Sequence, residues 1–542
     1  MKRGQTFAAG IASLALAATL LAGCGSNSPS GNEGTGSVPA SSNDGADSSS
    51  NTNKNTNANA AEDDLFKDHL DISLAFYDIA TSIKADQPDP MLQMIEQKFN
   101  ITIKPVNESW GDYGDRTKLW AASGQLPDAF FFDQTSGDLV NQWADQGIIK
   151  PLPDDMSPYP NLKKYIDLPD VAGAAAADGK NYFIPRMLAN RNELPMDRGI
   201  EIRKDWMDEL GLQDPTTYDE LKNVLKTIAD KKHVIGLTAG GIGWIRESVF
   251  QNINPASAWW QKVNGQWQPG WMTDGYAEQI AQIRDLYQSG LLDKDFALPN
   301  VDAENKFMQG KAAALVTTPK TMNAEPALWN KANPNSSILD HVKILNPVPA
   351  SDGKNYLYGY FDYWSGTLFS GTASDAKQER LLALMDWLAS PEGQKVTRYG
   401  LQGVDWEPNG DMVTNKHQSE KDFDLMKLYP SNNVFSALAI WSDGNKYVEG
   451  YPATETGKVQ EYIDNVEAEQ LQSGEKPPIN WIVNAFASSL STGGGDLDAL
   501  VTQLVIGKED IKAAMKKYVD EQMGLGLADA IKAVNDKYPD EN

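Results

Sequence analysis

The chain has 542 residues, with 48 Lys or Arg against 74 Asp or Glu, a formal net charge of −26, and 41% hydrophobic residues, enough for packed cores. That balance argues against nucleic acid, which requires clustered Lys and Arg, and disfavours adsorption to an anionic membrane. The single cysteine excludes an internal disulfide and any multi-cysteine zinc or iron–sulfur site, and His69, His233, His341 and His417 form no HxxxH pair, so neither metal nor cofactor is expected.

Lys2 and Arg3 precede an apolar run from Phe7 to Ala22, shorter than the ~20 residues of a membrane-spanning helix. The run ends in Leu21-Ala22-Gly23-Cys24, which resembles a bacterial lipobox. Residues 1–23 therefore read as a lipoprotein signal peptide and Cys24 as the lipidated mature N-terminus. Gly25 to Ala61 is rich in Ser, Asn, Gly and Thr and buries too little apolar surface to offset its ordering entropy. Residues 24–62 are expected to be the lipidated cysteine and a disordered tether, reaching about 30–36 Å for roughly 37 residues. The expected location is the extracellular face of the cell membrane, held by lipid.

The globular part opens with a strand at Ile72–Tyr77, a helix at Pro90–Asn100, a strand at Ile101–Val106, a helix at Asp115–Ser123 and a strand at Pro127–Asp133. Strand and helix alternating in this way predict a parallel α/β sheet. A second α/β region starts near Ile202. Thr217-Tyr218-Asp219-Glu220 has capping-box spacing and opens a helix through Leu221, Val224, Leu225 and Ile228. Val234–Thr238 and Ala312–Val316 read as strands, Ala277–Ser289 as a helix. Leu381–Leu388 is helical, Pro391 restarts a helix, and the last hundred residues are mostly helical.

Several of these segments together resemble one family. Gly124-Gln125-Leu126-Pro127-Asp128, Ile202-Arg203-Lys204-Asp205-Trp206, Pro215-Thr216-Thr217-Tyr218-Asp219-Glu220-Leu221, Leu286-Tyr287-Gln288-Ser289-Gly290, Phe307-Met308-Gln309-Gly310-Lys311 and Tyr399-Gly400-Leu401-Gln402-Gly403-Val404-Asp405-Trp406 occur in order behind the lipobox. The chain resembles the extracellular solute-binding lipoproteins of bacterial ABC importers, in particular their large oligosaccharide-binding group (family 1 type). The resemblance implies an α/β, two-lobed periplasmic-binding-protein-like fold (type II), with ligand in a cleft between lobes joined by hinge crossings. It implies an N-terminal lobe of about 63–190 and 361–405 and a C-terminal lobe of about 191–360 and 406–542. It further implies a monomer that catalyses nothing and delivers an oligosaccharide to ABC permease subunits. Relatives often carry a calcium loop after the helix that Thr217 opens; here Ala229-Asp230-Lys231-Lys232-His233-Val234 offers one carboxylate where calcium wants six to eight oxygens.

A sugar site needs planar carboxylate, amide and guanidinium groups for hydroxyls and flat aromatic surfaces for C–H faces. Loops after strands supply the candidates: Tyr77 and Asp78 after the first strand; Trp110, Asp112 and Tyr113 after the second; Asp133 after the third; Trp244 and Arg246 after the Gly240-Gly241-Ile242-Gly243 turn. Asp362, Tyr363 and Trp364 lie at a crossing, Arg186 and Arg203 flank another, and Trp406 and Trp441 lie in late loops. The competing reading of each is turn or inter-lobe packing, and for the arginines a bracing ion pair. Trp259-Trp260 reads either as a rim platform or as a hairpin staple under Asn264-Gly265. No GxGxxG, GxxxxGK[ST] or GxSxG pattern is complete. The alternatives to a transport receptor are an exported polysaccharide-active enzyme, a sugar-sensing binding module, and a peptide-binding member of the same superfamily.

Overall fold

β1 (Leu70–Tyr77), β2 (Ile101–Glu108) and β3 (Ala129–Phe132) lie parallel in the order β2-β1-β3. The computed structural model that shows this describes residues 66–541 except 85, 134, 188–197, 249–255, 299–300, 351, 359–362, 439–449 and 452. The helix between β1 and β2, Pro90–Phe99, starts where Asp89 accepts hydrogen bonds from the Met91 and Leu92 amides, both 3.0 Å, with proline at its first position. It ends at Asn100, whose left-handed backbone (φ 48°) turns the chain into β2. Met91, Leu92, Ile95 and Phe99 form its buried face, each contributing about 1.5–3 kcal/mol of apolar burial. Gly124 (φ 68°) closes the next helix, Tyr113–Ser123, in the same way.

β4 (Ile149–Lys150) and β5 (Phe183–Met187) belong to the same sheet, but neither touches β3 directly. The chain then passes to β6 (Gly199–Arg203) and β7 (Ile235–Ala239) of a second sheet. β8 (Trp260–Val263) and β9 (Gln266–Pro269) form a hairpin turned by Asn264 (φ 51°) and Gly265 (φ 79°). Trp260 packs in a small core with Trp267, Val483 and Ala487, so the hairpin reading of Trp259-Trp260 holds rather than the platform. β10 (Ala312–Thr317) and β11 (Val342–Ile344) complete the second sheet in the order β11-β6-β10-β7. Its core carries Leu225, Leu237, Ile283 and, from the late helix Leu497–Ile506, Val501, Leu504 and Val505.

β12 (Tyr363–Ser370) returns to the first sheet, antiparallel to β3 on one side and to β4 and β5 on the other. The first sheet is therefore mixed, where the alternation of its early elements predicts a parallel one, because the inserted strand comes from far along the chain. Gly366 allows the insertion: a Cβ there would stand 2.7 Å from the Phe183 ring and 3.0 Å from the Ile184 carbonyl oxygen. β13 (Trp406–Asn409) and β14 (Met412–Asn415) form a hairpin beyond the helices Asp375–Ala389 and Pro391–Tyr399. Tyr429, Val434, Phe435, Ala437 and Leu438 pack in the first core. Within the stretch from 406 to 438, the residues from Tyr429 to Leu438 thus pack with the first sheet, while Trp406 and Val413 pack with Tyr399 in a core of their own. The chain crosses between the two sheets' cores three times, between Ile184 and Ile200, between Leu345 and Tyr363, and between Leu438 and Val459.

Candidate functional site

The register of β12 sets up the site. Gly366 pairs with Phe132 of β3 and Ser365 with Arg186 of β5, so Asp133, just past β3, and Arg186 emerge at the same end of the sheet. That end is also the carboxyl end of β1, where Tyr77 stands, and of β2, which leads to Trp110. The Tyr77 hydroxyl donates a hydrogen bond to Asp133 Oδ1. The Tyr77 ring stacks at 4.2 Å from Trp110 and 4.6 Å from Tyr113. The Arg186 guanidinium lies 5.1 Å from the Phe131 ring and 5.8 Å from that of Phe76. Five of the predicted residues are thereby brought together.

Their roles differ with exposure. Trp110 is 59% exposed and offers an open aromatic face, while Tyr113 and Arg186 are 2% and 5% exposed. Tyr113 is a support: its hydroxyl accepts from the Phe131 amide at 3.1 Å. Burial pushes the Tyr77 and Tyr113 hydroxyls well above the usual phenol range, and for Tyr77 the Asp133 charge adds to it. Burial lowers the Arg186 guanidinium to about 10, against the pull of Tyr77 and Asp133. Asp133 keeps contact with water, yet loss of hydration raises its carboxyl, offset in part by the Tyr77 hydrogen bond and the Arg186 charge. The cluster thus presents hydrogen-bonding oxygens, a cation held in place by aromatic rings, and an exposed indole. Asp78 and Asp112 lie outside it, both exposed; Asp112 accepts from Ser109 Oγ at 2.8 Å.

On the second sheet the turn after β7 carries Trp244 on the helix Ile242–Ser248. A Cβ on Gly240 would lie 3.2 Å from the Trp244 Nε1, so the glycine lets the indole rest on the turn. The Arg198 guanidinium, at the start of β6, lies 4.3 Å from the Trp244 ring and 5.6 Å from that of Tyr358. A cavity of about 810 Å³ adjoins Trp244, lined also by Leu298, Asp496, Asp498, Thr502 and Gln503. Arg246 Nε donates to Asp498 Oδ1 at its edge, 3.0 Å. Arg186 and Arg198 stand at the two ends of one crossing, Tyr363 and Tyr358 at the two ends of another.

Three candidates lie as the packing or bracing reading has them. Arg203 grips Asp205 through two hydrogen bonds of 2.8 and 2.5 Å and stacks 3.9 Å from Trp206, while His341 Nδ1 lies 2.9 Å from the same carboxylate; it braces the second sheet. Trp406 is buried, and its indole N–H donates to the Gly400 carbonyl oxygen at 2.9 Å. Tyr363 is buried in the first core against Phe183. Cys24, Asp362 and Trp441 lie outside the described residues, as does the side chain of Trp364. Arg198, Tyr358, Leu298, Asp496, Asp498 and Gln503 were not anticipated. Only Arg198 had a local signal, a lone cation directly before the strand Gly199-Ile200-Glu201-Ile202.

Among the described residues no group of three or more His, Cys, Asp or Glu side chains could hold a metal, and no helix is long and apolar enough to cross a membrane. Residues 84–395 match the family model for bacterial extracellular solute-binding protein. The polygalacturonan/rhamnogalacturonan-binding protein YtcQ of Bacillus subtilis (strain 168) is 28% identical over 324 residues, 57% of this chain; the chain spans only 62% of that relative's length. Lipoprotein LipO of the same organism is 23% identical over 452 residues, 78% of this chain and 84% of that one. The structure of the S. pneumoniae ABC-transporter substrate-binding protein FusA, an EF-hand mutant with fructo-nystose, superposes with a TM-score of 0.62 at 19% identity, covering 88% of this chain and 99% of that one. The two sheets with their crossings are accordingly the two lobes of the solute-binding fold, and the chain belongs to the bacterial extracellular solute-binding protein family.

Proposed function

We propose that this protein is a lipid-anchored receptor on the outer face of the cell membrane that captures an oligosaccharide between its lobes and delivers it to the permease of an ABC importer. The observation that carries this reading is the pairing of aromatic and guanidinium groups on each lobe: Tyr77, Trp110 and Arg186 on the first, Trp244 and Arg198 on the second. Indole faces suit the C–H faces of sugar rings, and guanidinium and carboxylate groups suit their hydroxyls. Both sets flank the crossings, so a ligand touching both favours the closed arrangement by its differential affinity for it. YtcQ and FusA are named for carbohydrate ligands, FusA also for an ABC transporter and LipO as a lipoprotein, which supports the same reading; the lipid would sit on Cys24. The protein acts as a monomer and leaves its ligand chemically unchanged.

Thermal unfolding of the intact protein against a panel of oligosaccharides tests this. One glycan class should raise the melting temperature saturably, quench or enhance tryptophan fluorescence, and be recovered intact. Replacing Trp110 by Ala should weaken that binding about tenfold, the order expected for one aromatic stacking contact. Shortened products would turn the reading to an enzyme; a shift with peptides alone would keep the fold and change the ligand.

A further inference from the structure

We propose that the cavity around Trp244 selects an uncharged stretch of oligosaccharide and turns away uronic acids. The inference rests on the sugar-binding reading above and adds the charge class of the ligand. Trp244 borders two adjoining cavities, the one of about 810 Å³ already described and another of about 280 Å³ lined by Asp302 and Glu304. Four carboxylates line these cavities: Asp302, Glu304, Asp496 and Asp498. Asp498 is paired with Arg246 at 3.0 Å. The other three form no ion pair among the described residues; Asp496 accepts from the Ala499 amide and Asp302 from Asn305 Nδ2, each at 2.8 Å. One guanidinium in the lining, that of Arg198, stands against them, and it is spread over the Trp244 ring.

Such a lining wants donors. A sugar hydroxyl donates to a carboxylate and gains a charge-assisted hydrogen bond, while the indole covers the ring's C–H face. A uronate carboxylate has no proton to give and meets like charge in either cavity, Asp302 and Glu304 in the smaller and Asp496 in the larger. Specificity built from such repulsion discriminates even where the attractive contacts are shared. Asp302, Glu304 and Asp496 are thus specificity-determining residues, and Trp244 is the platform common to the two cavities they line.

Calorimetry on the intact protein decides it, with neutral gluco-, galacto-, xylo- and fructo-oligosaccharides beside oligogalacturonates and oligoalginates of matched length. The expected result is that a neutral oligosaccharide binds and every uronate oligomer binds at least tenfold more weakly. Trp244→Ala should lose the neutral ligand at least tenfold. The triple variant Asp302→Asn, Glu304→Gln, Asp496→Asn, verified as folded by its melting curve, should narrow the neutral-to-uronate gap at least threefold. A uronate oligomer binding as tightly as the best neutral one overturns the proposal and leaves the sugar-receptor reading standing. An unchanged gap in the triple variant overturns the assignment of selectivity to these three carboxylates. No binding by glycans of either charge overturns both readings.

Discussion

Glu201 lies on the inner strand β6, opposite Leu315 on one side and Ile344 on the other, with none of its side chain reaching water. Neither of its oxygens is hydrogen-bonded to a backbone amide or to a nitrogen or hydroxyl side chain, and its carboxyl neighbour is that of Glu325, itself buried. A hydrogen bond between two carboxyls needs one of them to carry the proton. Burial pushes Glu201 up to about 8, and burial followed by the Glu201 charge pushes Glu325 well above the carboxylate range. Because the folded value exceeds the unfolded one, the stabilisation from holding the proton is complete below the ordinary range near 4.5 and is lost as pH rises through about 8. Glu201→Gln keeps a donor toward Glu325 and removes one of the two titrating carboxyls, with the charge it sets against the other. Its melting temperature should match the parent at pH 4.5 and exceed it by at least about 2 °C at pH 8.5, the shift that roughly 1 kcal/mol produces in a unit of this size; equal melting at both pH values would rule out the shared proton. At this scale the sequence was legible where a side chain follows a strand end. Tyr77, Trp110 and Asp133 come together as residues that follow the carboxyl ends of parallel strands. It was illegible where a nearby polar group claims the side chain: Arg203 is held by Asp205, whose carboxylate His341 also meets, and Trp406 donates to the Gly400 carbonyl oxygen. Nothing in the local pattern separates such a buried tryptophan from one at a rim.

The elements themselves follow local rules closely. Asp89, Thr217, Ser374, Ser390 and Asp510 each cap the helix they precede. In the predicted capping box only half forms as drawn: Thr217 Oγ1 accepts from the Glu220 amide at 3.2 Å, but the Glu220 carboxylate turns to the Thr216 amide and hydroxyl. The order of strands is the part that local rules miss, because β12 reaches its place through long-range pairing, and the amphipathic signal of a strand says nothing about its neighbour. β12 is also the element that aligns Arg186 with Asp133, and Gly366 is its narrowest point. Gly366→Ala would drive a methyl group into the Phe183 ring and the Ile184 carbonyl oxygen, so β5 must shift from β12. The expected cost is about 1–3 kcal/mol, read in denaturant unfolding, together with weaker ligand binding as Arg186 moves. Gly494→Ala, where a Cβ meets nothing within 4 Å, is the control and should leave both unchanged. Loss of stability without loss of binding would separate the strand from the site.

At the scale of the whole described unit, closure about three crossings must respect the other places where the lobes touch. The helix Trp481–Ser488, anchored in the small core with Trp260 and Trp267, lies against the first lobe's helix Pro169–Gly173 so closely that a Cβ on Gly173 would stand 2.9 Å from that of Ala485. Beside it, Ser488 Oγ is 3.0 Å from Ser136 Oγ, and a Cβ on Gly137 would lie 3.3 Å from the Ser488 carbonyl oxygen. Backbones that approach this closely slide or pivot; they do not part and re-form cheaply, since interiors are packed to crystal density. This contact is therefore expected to act as a fulcrum that persists while the cleft opens, in the manner of a packed shear contact. Cysteines at 136 and 488, in a chain whose own cysteine is Cys24 alone, place two thiols within bonding reach. Oxidation should cross-link them at the same rate with and without ligand, and the cross-linked protein should bind within about threefold of the reduced one, a difference below 1 kcal/mol. A cross-link that forms only with ligand present, or that abolishes release, would make the same contact a latch of the closed state, because a bond that traps one conformer must shift the population toward it.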